Sequence, residues 1–230
     1  MSIQETPEKN QVYFMWLNRY AGVTVKTPST TVVIDPVDVK SKDFKSVDAI
    51  LITHEHYDHL DQPLISEVQK QTDCMVIADR TSARKLRNVV PSYKLVEVHP
   101  GSEVGVESVV VKTEECNHPQ AMSPVSFIVT SEDGVTLYHT ADSLPFPEMT
   151  KISDREKLDV VFCTVGIASC ASPQTGVDIA RLTKPKVAVP YHTGSSSDQR
   201  KFAEILKNEL PKIACLIPET GKIYEVSKRK

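Results

Sequence analysis

The chain has 230 residues, with 27 Lys and Arg against 30 Asp and Glu, a formal charge of -3, and 40% hydrophobic and 25% charged residues. That balance is ordinary for a globular protein and leaves no electrostatic case for binding nucleic acid or an anionic membrane surface. No Gly/Ser linker, composition shift or sequence repeat divides the chain, so a single domain over 1–230 is expected.

The first eleven residues are polar and lack the apolar core of a signal peptide. The longest apolar stretch, 160–171, is too short to span a bilayer, so the expectation is a cytoplasmic protein without membrane association. Five cysteines (74, 116, 163, 170 and 215) are odd in number and have no Cys-x-x-Cys spacing, which argues against a disulfide framework and for mostly buried apolar side chains. The Lys228-Arg229-Lys230 end is expected to be a solvated tail.

In chain order, residues 12–17 and 23–26 pattern as paired strands, joined through Asn18-Arg19-Tyr20, and 31–34 as a third that ends at the Asp35-Pro36 turn. Residues 48–53 form a buried apolar strand, and directly after it comes His54-Glu55-His56-Tyr57-Asp58-His59. A chance occurrence of His-x-His-x-Asp-His in such a chain has odds of roughly 4 in 10,000, so the segment is read as a metal site. In an extended loop, positions two apart point the same way. His54 and His56 therefore converge on one cation, while Asp58 and His59, past a bend and entering a helix, converge on a second. Imidazole with carboxylate suits Zn, Mn, Fe or Co rather than Ca or Mg.

Leu60, Leu64, Ile65 and Val68 have helical spacing, with Pro63 tolerated in the first turn. Strand 74–78, helix 81–87 and strand 94–98 follow, an alternation that implies helices packed on a sheet. His99, in a His-Pro-Gly turn, is expected to be structural. Residues 104–112 and 125–130 read as strands around a loop that holds Cys116, His118 and two prolines, and 135–139 is a strand running into Thr140-Ala141-Asp142-Ser143. After strand 158–164 and a small-residue loop at 166–172 come helix 175–183, strand 186–189 ending near His192, helix 196–209 with Phe202, Ile205 and Leu206 inward, and short strands at 213–216 and 222–226.

The histidine-rich segment, with these later elements, resembles the metallo-β-lactamase superfamily, and within it the single-domain hydrolases similar to ascorbate-phosphate lactonases. Pattern alone supports an α/β or α+β class; the resemblance implies an αββα sandwich of two mixed sheets faced with helices. It implies His118 as third ligand of the first metal and His192 as a ligand of the second metal beside Asp58 and His59; Cys116, two positions before His118, is either a neighbour of the metals or one more buried apolar side chain. Asp142 falls in an element resembling the family's Gly-Asp-Thr or Gly-Asp-Ser, with Ala141 where glycine is commoner. Its two oxygens suit it to bridge both cations, while His139 belongs to the strand or to the support of the site. Asp35, in an Ile-Asp-Pro ending similar to the family's, is expected to hydrogen-bond within that support.

The sequence departs from these relatives at Asn18-Arg19, where Gly-His is expected. Arg19 either holds an anionic substrate group by its planar fork or is a plain surface arginine.

The expected activity is hydrolysis by water activated between two divalent ions, Zn first and Mn or Fe as alternatives, with Asp58 both a ligand and a proton shuttle. The expected substrate is a small anionic lactone or ester; a phosphodiesterase and a catalytically inactive metal-binding protein are the alternatives. No nucleic-acid partner is expected, and a homo-oligomer is compatible with the sequence.

Overall fold

A computed structural model of the chain describes residues 3–229; Met1, Ser2 and Lys230 lie outside them. The first part of the chain supplies β1 (Gln11–Trp16), β2 (Val23–Lys26), β3 (Thr31–Ile34), β4 (Ala49–Ile52), α1 (Gln62–Thr72), β5 (Met75–Asp79), α2 (Arg80–Leu86) and β6 (Leu95–Val98). Then come β7 (Glu103–Val106), β8 (Val109–Glu115), β9 (Val125–Thr130), β10 (Thr136–His139), α3 (Met149–Arg155), β11 (Val160–Thr164), α4 (Pro173–Thr183), β12 (Val187–Tyr191), α5 (Ser196–Glu209), β13 (Ala214–Cys215) and β14 (Ile223–Ser227).

Two seven-stranded sheets result, ordered β14-β1-β2-β3-β4-β5-β6 and β13-β12-β11-β10-β9-β8-β7. In the first, β14 through β3 pair antiparallel and β3 through β6 parallel. In the second, β7 through β10 pair antiparallel and β10 through β13 parallel.

Side-chain alternation sets the layers. In β4, Ile50 and Ile52 pack toward Leu64, Ile65, Ala83 and Leu86 of α1 and α2. Ala49 and Leu51 face the other sheet through Val111, Phe127 and Val129. In β11, Val161 and Cys163 meet Ile152, Val177 and Phe202 of α3, α4 and α5, whereas Val160 and Phe162 turn inward toward Phe14, Val25 and Leu137. Burial on both faces is why these strands read as unbroken apolar runs. The outcome is the expected αββα sandwich. Among the described residues no helix is long and apolar enough to cross a membrane.

Caps fix where the helices start. The Asp61 carboxylate accepts the Leu64 amide at 3.0 Å, so α1 begins at Gln62, and Asp58 and His59 lie in the preceding turn rather than entering the helix. Asp79 caps α2, and Ser172 with Thr175 forms a capping box on α4.

Four further expectations change. Residues 104–112 are not one strand but the hairpin of β7 and β8, turned at Glu107, whose φ of 49° carries no glycine signal. Helix α3 was not expected; it has seven residues, no capping side chain, and only Met149 and Ile152 buried. Cys170 and Cys215 are exposed, so only Cys74 and Cys163 are fully buried. Lys228 and Arg229 are exposed but fastened, through Lys228 Nζ to Asp133 O (2.7 Å) and the Arg229 amide to Asp159 Oδ1 (2.5 Å), while Lys230 lies outside the described residues.

Candidate metal centre

The ends of β3, β4, β8, β10 and β12 reach one edge of the sandwich, and the site is assembled there from loops of both sheets. Asp35, just past β3 with φ 46°, is wholly buried. Its Oδ1 accepts the Thr53 amide (2.8 Å), and its Oδ2 accepts the Thr53 hydroxyl (2.6 Å) and lies 2.7 Å from His59 Nδ1. A buried carboxylate is costly unless hydrogen-bonded, and these contacts offset that cost. With its Nδ1 proton given to Asp35, His59 presents Nε2 as a lone pair.

The Thr53 hydroxyl, its proton given to Asp35, lies 3.0 Å from His54 Nδ1 and can accept there, which leaves His54 Nε2 free. His56 Nε2 lies 3.3 Å from Gln120 O, which directs its Nδ1 inward. That Nδ1 is 3.2 Å from both His54 Nε2 and His118 Nε2. Imidazole nitrogens this close need a proton or a metal cation between them, and ligand nitrogens about 2.0–2.1 Å from a tetrahedral ion stand roughly 3.4 Å apart, near this spacing.

Asp142 spans the remaining gap. Its Oδ2 is 3.8 Å from His54 Nε2 and 3.7 Å from His118 Nε2; its Oδ1 is 3.0 Å from His59 Nε2 and 2.7 Å from His192 Nδ1. Asp58 Oδ2 lies 3.4 Å from His192 Nε2 and 4.0 Å from His59 Nε2. The structure thus gathers all seven sequence candidates into two adjoining groups, His54, His56, His118 and Asp142 beside Asp58, His59 and His192, each with its ligand atoms within 4.8 Å of one another. Despite the close approaches, His59 Nε2, His192 Nε2 and Asp142 Oδ1 are buried without hydrogen-bond partners. Orphaned donor atoms of this kind are what a bound cation would satisfy.

The electrostatics agree. Burial, reinforced by the neighbouring imidazoles, holds His54 well below its usual range, which suits a neutral ligand. At His59 burial opposes the charged form, but Asp142 and Asp35 outweigh it and lift the group well above its usual range. At Asp142 and Asp58 burial favours protonation, and the surrounding imidazoles override it and lower both. The carboxylates demand positive charge at this point.

The surroundings hold the ligands in place. His139 Nε2 donates to Ala21 O (2.8 Å), and its Nδ1 accepts the Ala141 amide (3.3 Å). It thereby ties the first sheet to the left-handed Ala141 (φ 53°) that aims Asp142, and a left-handed backbone is the reason glycine suits this position. His192 is left-handed as well (φ 54°), its carbonyl held by the Ile167 amide at 2.9 Å. The His118 loop is pinned through Ser123 to Asp79 (2.6 Å) and through the Met122 amide to Glu55 (2.8 Å).

Cys116 lies outside the converging groups. Its thiol is buried, and burial, with the charge of Asp142 added, pushes it up and keeps it protonated. His99 is exposed in its turn. Arg19 is exposed at the rim, its guanidinium folded over Tyr20, whose ring in turn lies 6.5 Å from that of His192. Sequence reading passed over Thr53 and Tyr20; the adjacency of Thr53 to His54 was the only available signal for the first.

A family model described as the beta-lactamase superfamily domain matches residues 21–193. A UPF0173 protein of Pyrococcus furiosus is 32% identical over 193 residues, covering 82% of this chain and 88% of the relative. A UPF0173 metal-dependent hydrolase of Bacillus thuringiensis is 28% identical over 232 residues, covering 90% and 94%. Among solved structures, Igni18, a metallo hydrolase of Ignicoccus hospitalis, superposes with a TM-score of 0.81 at 18% identity, covering 95% of this chain and all of that one. With its two mixed sheets and a candidate metal centre at their shared edge, the chain belongs to the metallo-β-lactamase superfamily, among its metal-dependent hydrolases.

Proposed function

We propose that this chain hydrolyses a small anionic ester or lactone at a centre of two divalent cations, one held by His54, His56 and His118, the other by Asp58, His59 and His192, with Asp142 shared between them. Cations bound there supply Lewis acidity and lower the pKa of water toward neutrality; the mix of imidazole and carboxylate suits Zn first, with Mn or Fe as alternatives. Asp58 remains ionised and accepts, at its carboxylate, the proton given up by the attacking water. Asp35 and Thr53 hold the His59 and His54 tautomers throughout. A small-molecule substrate is the only partner this reading requires.

The observation that carries it is the convergence of three imidazole nitrogens at 3.2 Å beside three buried atoms without partners. The test is the initial rate of protein reconstituted with Zn or Mn on an aryl ester, a lactone and a phosphodiester, with Asp58→Ala as blank. The expected result is turnover of the ester or lactone, lost on chelation and reduced by orders of magnitude in the variant while circular dichroism is unchanged. Turnover of the phosphodiester alone would move the assignment to that class, and a metal-replete protein inert to all three would refute hydrolysis in favour of metal binding without catalysis.

A further inference from the structure

The turn after β1 is more heavily built than a connection between two strands needs. Trp16 Nε1 donates to Tyr20 O (2.6 Å), the Tyr20 amide to Asn18 Oδ1 (2.8 Å), and Asn18 Nδ2 to Val37 O (2.5 Å). Gly22 is pressed against Asp35 O and Leu17, where an added Cβ would meet atoms at 3.0 and 3.3 Å. These bonds fix the backbone that carries Arg19 and Tyr20.

Arg19 Nη2 donates to Tyr20 Oη at 2.7 Å, and its Cζ stands 4.8 Å from the centre of the Tyr20 ring. The Tyr20 ring meets Tyr57 edge-on at 6.4 Å and His192 at 6.5 Å. Tyr57 sits in sequence between His56 and Asp58 and is 79% exposed, so its ring stands open to solvent beside the candidate ligands. Among the described residues Arg19 forms no ion pair; Asp38 is felt electrostatically but does not bridge to it. A guanidinium stacked on an aromatic face is pre-organised and still offers its other N–H groups to an oxyanion.

The geometry points to an oxyanion subsite formed by Arg19, Tyr20 and Tyr57 on the Asp58–His192 side of the centre, which takes the carboxylate or phosphate that the substrate carries apart from the bond it loses. This rests on the hydrolytic reading above and narrows it. The substrate is an ester or lactone with its own anionic group, and Tyr57 covers the part of the molecule between the two ends.

Two measurements test it. The first compares kcat/KM for mono-para-nitrophenyl glutarate, which carries a terminal carboxylate, with that for para-nitrophenyl pentanoate, which does not. The second follows glutarate and inorganic phosphate, in separate titrations of the metal-loaded protein, by calorimetry and by the fluorescence of Trp16, the single tryptophan, whose indole is bonded to the turn. In Arg19→Met the preference for the glutarate ester falls about tenfold through KM, and the favoured anion binds about tenfold more weakly. Arg19→Lys recovers part of both, and Lys70→Met, a charge change at the far end of α1, alters neither. Tighter glutarate than phosphate binding assigns a carboxylate, and the reverse a phosphate.

Absent anion binding in the wild type, or equal binding in wild type and Arg19→Met, overturns the subsite. Arg19-dependent binding without turnover of either ester strikes the hydrolytic reading and leaves the subsite standing. Turnover with a preference indifferent to Arg19 strikes the subsite alone.

Discussion

Replacing Asp35 with Asn tests the support of the centre without touching the atoms that face it. The native carboxylate accepts the Thr53 amide at 2.8 Å and the Thr53 hydroxyl at 2.6 Å, and holds His59 Nδ1 at 2.7 Å. An amide of the same shape keeps one acceptor for the Thr53 amide but turns an NH2 toward Thr53 and His59. Two donors then face each other, so His59 must move its proton to Nε2, the nitrogen that points at Asp142, and a protonated Nε2 cannot ligate. Loss of such a support costs about 10–100-fold in metal affinity, or roughly 1.4–2.7 kcal/mol. The same charge-assisted contacts contribute to folding at about 1.5–3 kcal/mol, which for a chain of this size lowers Tm by about 3–12 °C. Competition against a chelator of known affinity reads the first quantity and calorimetric melting of the metal-free protein the second. Metal affinity within twofold of wild type in Asp35→Asn would refute the tautomer argument.

Three further outcomes are expected. Because Asp142 and Asp35 hold His59 well above its usual range when no cation is present, metal loading at pH 7 releases a proton, and affinity rises with pH as that proton becomes easier to remove; titration calorimetry in buffers of different ionisation heat measures this, and an apparent binding heat independent of buffer would contradict it. His139→Asn keeps an acceptor near the Ala141 amide, whereas His139→Gln reaches Ala21 instead, so the Asn variant retains more metal affinity than the Gln variant; the opposite ranking would show that the tie to Ala21 matters more. Gly176→Ala would put its Cβ 2.7 Å from Val165 Cγ1 and 3.2 Å from the Phe202 ring, an overpacking worth about 1–3 kcal/mol, and an unchanged Tm would mean that α4 moves away freely.

The candidate ligands on the β4 turn are legible in the sequence because strand and ligands are contiguous, an apolar run followed at once by His54, His56, Asp58 and His59. Asp35 is legible only through its Ile-Asp-Pro setting. The role of Thr53 is not, because it depends on the parallel register that pairs Ile34 with Leu51 and so brings Asp35 beside Thr53. The Tyr20 ring lies against both Tyr57 and His192, and it reaches His192 only once the two sheets have packed. The β7–β8 hairpin hides because a glutamate takes the left-handed turn position, and α3 hides because two buried residues are too few to make a helical period. No repeat is visible in the residues, yet the architecture contains one.

Strand for strand, the two sheets follow a common scheme of four antiparallel strands and then three parallel ones. Superposing the schemes makes β3 the counterpart of β10. Asp35, itself left-handed, stands one residue past the end of one, and Asp142, after the left-handed Ala141, stands three residues past the end of the other. Each sheet thus contributes one aspartate from beyond its fourth strand, the two have different tasks, and His59 lies in the seam with Asp35 2.7 Å from one ring nitrogen and Asp142 3.0 Å from the other. A polypeptide holding either half alone would own one of these carboxylates and never both, so the grip on His59 exists only as a property of the pair.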